Sequence, residues 1–182
     1  MKVSTPSLDL LKRGISGYMS YLAACQMWGV FTEYILYEPI NRMLIATGWK
    51  VHCEYKIPGL KTGHSGEIDF VASRTQNREQ DEGGETVEFA MEVKWKKTQQ
   101  TNFEVSRDYE KLILFRTKKP NADLLICVFG REIAIAECQL YLSKKSMKEH
   151  DLQQQPNFEN VGKTIIAKLG KTSYGCRIFR LT

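Results

Sequence analysis

Three ionisable residues stand where apolar side chains would be cheaper to bury. Asp69 lies between Ile68 and Phe70 in the run GEIDFVAS, and Glu92 and Lys94 flank Val93 near the end of TVEFAMEVKW. Unpaired charge in an apolar setting is costly, so such groups are paired with one another, bound to a metal, or shifted in pKa. If both runs are strands, side chains alternate between faces, and Glu92 and Lys94 project to one side with Val93 to the other. A neighbouring strand that carries Asp69 can then set its carboxylate beside that of Glu92. Two carboxylates so placed make a hard oxygen site suited to Mg2+, which keeps several waters and binds through one or two carboxylates together with substrate phosphate. Lys94 beside such an ion can orient or activate an attacking water and offset charge that builds up on a phosphate.

The elements needed to position these groups can be read from the flanking sequence. WKVHCEYKI alternates apolar and polar residues as a half-exposed strand does, Pro58 and Gly59 close it, and GLKTGHSG is a turn with His64 at its tip. GEIDFVAS follows as a second strand. RTQNREQDEGGET is a solvated connection with a Gly83-Gly84 turn, and TVEFAMEVKW is a third strand, so the spacing predicts a three-stranded antiparallel meander.

Upstream, Ser7 or Asp9 is expected to cap a first helix, and helical character runs on from Tyr18 to Tyr37 with a break near Gly29. Leu36, Ile40, Met43, Leu44 and Thr47 then fall on one face of a helix ended by Gly48. Carried backwards, that face reaches Glu33, while Glu38 lies on a neighbouring face with Phe31, Ile35 and Ile45. Downstream, a helix over residues 102–118 turns Val105, Tyr109, Leu112, Ile113 and Phe115 to the core, with Asp108 and Lys111 one turn apart as an ordinary surface pair. DLLICVFG reads as a central buried strand. EIAIAECQLYL fits either a strand or a helix by periodicity, with a helix running on through SKKSMKEH preferred, and TIIAKLG and YGCRIFRLT read as a strand, a turn and a strand.

At 182 residues the chain fits one domain with a core of its own, and 42% apolar with 26% charged residues is ordinary for a soluble globular protein. The formal charge of +5 favours a polyanionic partner without requiring one. Five cysteines form no CxxC pair, and several sit in apolar runs, so they are expected to be reduced core residues of a cytoplasmic protein. The three histidines do not join them at zinc-finger spacing, which argues against a structural zinc site. Residues 14–32 carry no charge, yet their glycines, serines, Gln26 and Thr32 suit an amphipathic helix packed on the domain better than a membrane span.

Apolar-apolar-Asp at Asp69, 22 intervening residues, then Glu92-Val93-Lys94, with an acidic helix before and a helix after, resembles the PD-(D/E)xK nuclease superfamily. The pattern departs from the name in having Ile68, not proline, before Asp69. The resemblance implies a restriction-endonuclease-like α/β fold, three-layer α/β/α with a central mixed β-sheet. It covers about residues 31–130 of a single domain spanning 1–182, with a helical extension over 1–30 and a helix and hairpin over 131–182. It implies Asp69 and Glu92 as ligands of Mg2+ or Mn2+, a further contact from the Val93 carbonyl, and Lys94 as the catalytic lysine. An acidic residue of the first core helix often completes such sites, with Glu33 the first choice and Glu38 the second. DYEKL, with Asp108 and Lys111, resembles the helix that follows the lysine strand in many members, which implies that its charges line the site or contact nucleic acid. The activity so implied is metal-dependent endonucleolytic hydrolysis of phosphodiester bonds, with DNA as the expected partner. Enzymes of this kind often work as dimers, so a homodimer is among the expectations. The rival expectations are a nuclease-fold protein that binds nucleic acid or a partner without cutting, and a structural domain whose charges are salt-bridged and which has no cavity there.

Overall fold

In the computed structural model, the described residues are 2–27, 32–57, 66–76, 85–97, 101–143 and 157–182. The expected turns at Pro58-Gly59, His64 and Gly83-Gly84, the break near Gly29, and Phe31 lie outside them.

The first helix, α1 (Thr5–Ala24), buries Leu8, Leu11, Ile15, Met19 and Leu22, an apolar stripe at three- and four-residue spacing. Its N-cap is Ser4 instead of Ser7 or Asp9, and Pro6 sits in the first turn, where its missing N–H costs nothing. A second, polar stripe was not foreseen. Lys12, Ser16 and Ser20 recur every four residues, about 6 Å along a helix, while carbonyls on one edge of a strand recur every two residues, about 6.6 Å. The pitches match: Lys12 Nζ donates to the Val161 and Lys163 carbonyls at 2.7 Å, Ser16 to Ile165 O at 2.9 Å and Ser20 to Ala167 O at 2.7 Å. The helix thereby covers a strand edge that would otherwise be open to pairing.

After a 3-10 turn (Glu33–Leu36) comes α2 (Tyr37–Ala46), which buries Ile40 and Leu44 below the buried Leu36 of the turn. On the expected face, Met43 is half-buried and Thr47 exposed. Strands β1 (Lys50–Lys56), β2 (Glu67–Gln76) and β3 (Glu85–Lys96) form the antiparallel meander that the sequence predicts. The segment expected as one helix over 102–118 divides into a short strand, β4 (Asn102–Glu104), and α3 (Ser106–Lys118). Crossing over through α3 lets β5 (Asp123–Arg131) lie parallel to β3, with eight of its nine residues buried, as expected of a central strand.

The helix expected from Glu132 onward is overturned. It is the four-residue α4 (Glu132–Ile135), followed by β6 (Gln139–Tyr141), which pairs with β4 in a separate two-stranded sheet. The apolar spacing changes there, from three residues (Ile135, Cys138) to two (Cys138, Leu140, Leu142), and the backbone partner that selects the strand is distant in sequence. Residues 144–156 lie outside the description. At the C-terminus, β7 (Phe158–Asn160) and β8 (Ile165–Leu169) both pair with β9 (Thr172–Leu181), and β9 pairs antiparallel with β5. The tail hairpin is thus an integral part of one mixed seven-stranded sheet, ordered β1-β2-β3-β5-β9-β7 with β8 alongside β9.

Two apolar clusters flank this sheet. One joins α1 and α2 to Phe70, Phe89, Met91, Val93, Leu125 and Cys127, and the other joins α3 to Val71, Ala90, Leu124, Ile126 and Val128. Helices therefore cover both faces of a mixed α/β sheet. All five cysteines are free, but only Cys127, Cys138 and Cys176 are buried; Cys25 and Cys53 are exposed, against the expectation of core residues. Among the described residues, no helix is long and apolar enough to cross a membrane.

Candidate active site

Register brings the first two carboxylates together. The β2–β3 ladder runs from Gln76 opposite Glu85 to Phe70 opposite Met91, and its next step would set Asp69 opposite Glu92. Pairing stops one residue short of that step. On the other side, β1 pairs through Cys53 with Phe70 and through Tyr55 with Ile68, but the Glu54–Asp69 step is missing, and Glu54 has φ +50°. A left-handed glutamate inside a strand breaks the ladder there. Asp69 is thus the place where β2 leaves β3 and where its ladder with β1 skips one step. Its Oδ2 accepts a 2.7 Å hydrogen bond from the Val93 N–H, a side chain taking a main-chain amide of the next strand.

The fork collects side chains from both helical layers. Tyr37, in the first turn of α2, donates its hydroxyl to Asp69 Oδ1, with its ring edge-on to Phe70 at 5.2 Å. Burial, then the Asp69 bond and charge, raise the Tyr37 pKa, so the phenol remains a donor. Glu33, in the 3-10 turn, accepts from the Trp95 N–H at 3.1 Å and lies 3.5 Å from Lys94 Nζ. Glu38 is not at the site: it is exposed and pairs with Arg42 at 2.6 Å, one turn along α2. From the opposite layer, α3 sends in Asp108, 3.2 Å from Lys94 Nζ, and Lys111, 2.6 Å from Glu92 Oε2. Of the two readings of Asp108 and Lys111, the structure thus favours residues that meet Lys94 and Glu92 over a plain surface pair.

Glu92 is fully buried. Its Oε2 meets Lys111 at 2.6 Å and Lys94 at 3.9 Å, while its Oε1 is buried without a hydrogen-bond partner. Burial first, then the charge of Asp69, push its pKa well above the ordinary carboxylate range, against the opposing pull of Lys111. Lys94, 19% exposed, behaves in the opposite sense. Burial favours its neutral form, but the carboxylates of Asp108, Glu33, Glu92 and Asp69 outweigh burial and raise its pKa. In the metal-free protein Lys94 is therefore an ammonium donor, suited to orienting a water and to offsetting charge on a phosphate.

Comparison with models of known protein families, with curated proteins and with solved structures finds no match to this chain. The case for a function rests on these residues.

Among the described residues, no three His, Cys, Asp or Glu side chains converge as a ready-made metal cage. The donor set on offer is smaller and harder: Asp69 and Glu92, one of whose oxygens is buried and orphaned beside a second negative charge. A buried carboxylate oxygen in that state calls for a proton or a cation. A divalent ion that completes its shell with water and phosphate fits such a pair. Val93 contributes its N–H to Asp69, and its side chain is buried in the cluster on the α1–α2 face.

Two signals in the sequence point to the residues that strand reasoning passed over. Asp108 falls at a stripe position of α3, in step with the buried Val105, Leu112 and Phe115, and is itself 8% exposed. A carboxylate placed in a core stripe needs a partner within the fold. Tyr37 stands three and seven residues before the buried Ile40 and Leu44, so it too faces inward. Because its hydroxyl orients Asp69, Tyr37→Phe is expected to weaken Mn2+ binding about 10–100-fold with the fold retained, the usual cost of removing a ligand's supporting hydrogen bond. Calorimetric titration checks this, and unchanged affinity would show that Tyr37 only packs.

Proposed function

We propose that the chain is a divalent-metal-dependent nuclease with a restriction-endonuclease-like fold, an endonuclease that hydrolyses phosphodiester bonds in DNA. The observation that carries this reading is the buried, unpartnered oxygen of Glu92, beside the charge of Asp69 and the Lys94 ammonium. The meander, the α3 crossover and the parallel β5 support the fold assignment, since Asp69, Glu92 and Lys94 come from adjacent strands of one mixed sheet.

In this mechanism Asp69 and Glu92 would hold Mg2+ or Mn2+, which when bound would supply Lewis-acid chemistry at the phosphate and at a water. The Val93 carbonyl is the further contact implied by the resemblance. Tyr37 and the Val93 N–H fix the Asp69 carboxylate, so its geometry is set before substrate arrives. Lys94, held between Asp108 and Glu33, presents a positive N–H to the attacking water or to phosphate oxygens as charge develops on them. Glu33 has a positioning role: it ties Lys94 to the Trp95 amide on the same strand. The excess of 26 basic over 21 acidic side chains suits a polyanionic substrate.

The test is cleavage of linear, nicked, branched and single-stranded DNA and of RNA, with Mn2+ and with EDTA, by wild type and Asp69→Ala. Metal-dependent cleavage that disappears in the variant is the expected result. Cleavage equal in both proteins, or none on any substrate, would remove the reading.

A further inference from the structure

We propose that Lys111 is a resident cation filling the second of two cation positions around Glu92, so that the site takes up one divalent ion and not two. This rests on the metal-dependent reading above.

Three oxygens close around Lys111 Nζ: Glu92 Oε2 at 2.6 Å, the Glu67 main-chain carbonyl at 3.1 Å and Asp108 Oδ1 at 3.6 Å. Carboxylate and carbonyl oxygens are the donors that hard divalent cations select. Here they come from β3, β2 and α3, and an ammonium group stands among them. The same carboxylate shows the opposite condition at its other oxygen, since Glu92 Oε1 is buried and has no partner. Glu92 thus bridges one filled position and one open position. Bridging carboxylates hold paired metal ions in two-metal phosphodiester hydrolases, and here one of the two places is taken by the chain itself.

Charge balance agrees. As a metal ligand Glu92 is ionised, so with an ion bound Glu33, Asp69, Glu92 and Asp108 supply four carboxylates, against the two ammonium groups of Lys94 and Lys111. One divalent ion neutralises the formal excess, and a second would overshoot it. Without Lys111 the excess grows and its oxygen cage empties, so a second ion becomes favourable. An ammonium in that place leaves full occupancy dependent on a single ion, whatever the metal supply.

Calorimetric titration of Mn2+ into the full chain, as wild type, Lys111→Ala and Lys111→Arg, decides the matter. One ion per chain is expected for wild type and for Lys111→Arg, and two for Lys111→Ala. The alanine variant should also lose about 10²–10³-fold in cleavage at low Mn2+ and regain it as Mn2+ is raised, with a steeper metal dependence. A purely structural counter-ion would lower the melting temperature and leave the stoichiometry at one. Two ions in wild type, or an unchanged single ion in folded Lys111→Ala, would overturn the proposal. If Lys111→Ala does not fold, Lys111→Gln carries the same test, and the wild-type count still decides. Absence of any Mn2+ binding by wild type would instead remove the metal-dependent reading, and this proposal with it.

Discussion

Lys94→Met is expected to lower single-turnover cleavage at saturating Mn2+ by about 10²–10³-fold, the usual cost of losing one preorganised donor to a developing anion, while far-UV circular dichroism stays that of wild type. Methionine keeps the length and apolar body of the side chain and removes only the charge. The fold should tolerate the change because the site lies at a fork of the sheet and not in the apolar clusters, and Asp108 keeps Lys111 at 3.6 Å. Lys94→Arg is expected to recover only part of the rate. A planar guanidinium cannot reproduce the point contacts of one ammonium to Asp108 at 3.2 Å and Glu33 at 3.5 Å. Loss of metal binding together with the rate would show that Lys94 holds the carboxylates in place instead of acting on substrate.

Glu92→Gln should do two things at once: abolish metal-dependent cleavage and stabilise the metal-free protein. Burial and the neighbouring Asp69 disfavour the Glu92 carboxylate, and Gln keeps its shape without its charge. A gain of about 1 kcal/mol, typical of relieving a strained functional group, corresponds to about 2–4 °C in melting temperature for a chain of this size. The pH dependence has a definite sign. A folded-state pKa above the unfolded value means that the folded protein binds more protons between the two. The Glu92 penalty is therefore present above the folded value and fades as pH falls through it, so the gap between variant and wild type should be widest in EDTA at alkaline pH and close toward acid. Mn2+ should erase or reverse it. If Glu92 and Lys111 are instead only a buried ion pair, removing one partner costs about 3–5 kcal/mol, and Glu92→Gln melts well below wild type. Melting curves in EDTA across pH separate the two by sign alone.

The same electrostatics explain how much of the site could be read from the chain. Asp69, Glu92 and Lys94 are conspicuous because charge inside a strand-like run violates alternation, and alternation follows from local backbone geometry. Glu33 was reachable by carrying the helical stripe backwards from Leu36 and Ile40, and Glu38 fell on a different face by the same count. For Asp108 and Lys111 the spacing alone suggests a surface pair, because spacing on a helix fixes which residues are neighbours, not what the helix packs against; only the resemblance offered them to the site. The helix expected beyond Glu132 failed for a related reason. Its apolar spacing fits either element, and β4, the partner that selects the strand, lies some 35 residues earlier in the chain.

What the sequence determined by itself is what depends on short-range periodicity: the antiparallel meander, the buried β5, the helix that crosses over to it, and three charges in the wrong surroundings. Only the tertiary structure decided the rest. It stopped the β2–β3 ladder one step before Asp69 and Glu92, stitched Ser16 and Ser20 of α1 to the edge of β8 and Lys12 to the Val161 and Lys163 carbonyls before it, and brought Tyr37 and Lys111 from opposite faces of the sheet to one fork. Those outcomes depend on which strands part and which helices cover them, and such choices are set by contacts between residues far apart in the chain, where no local period reaches.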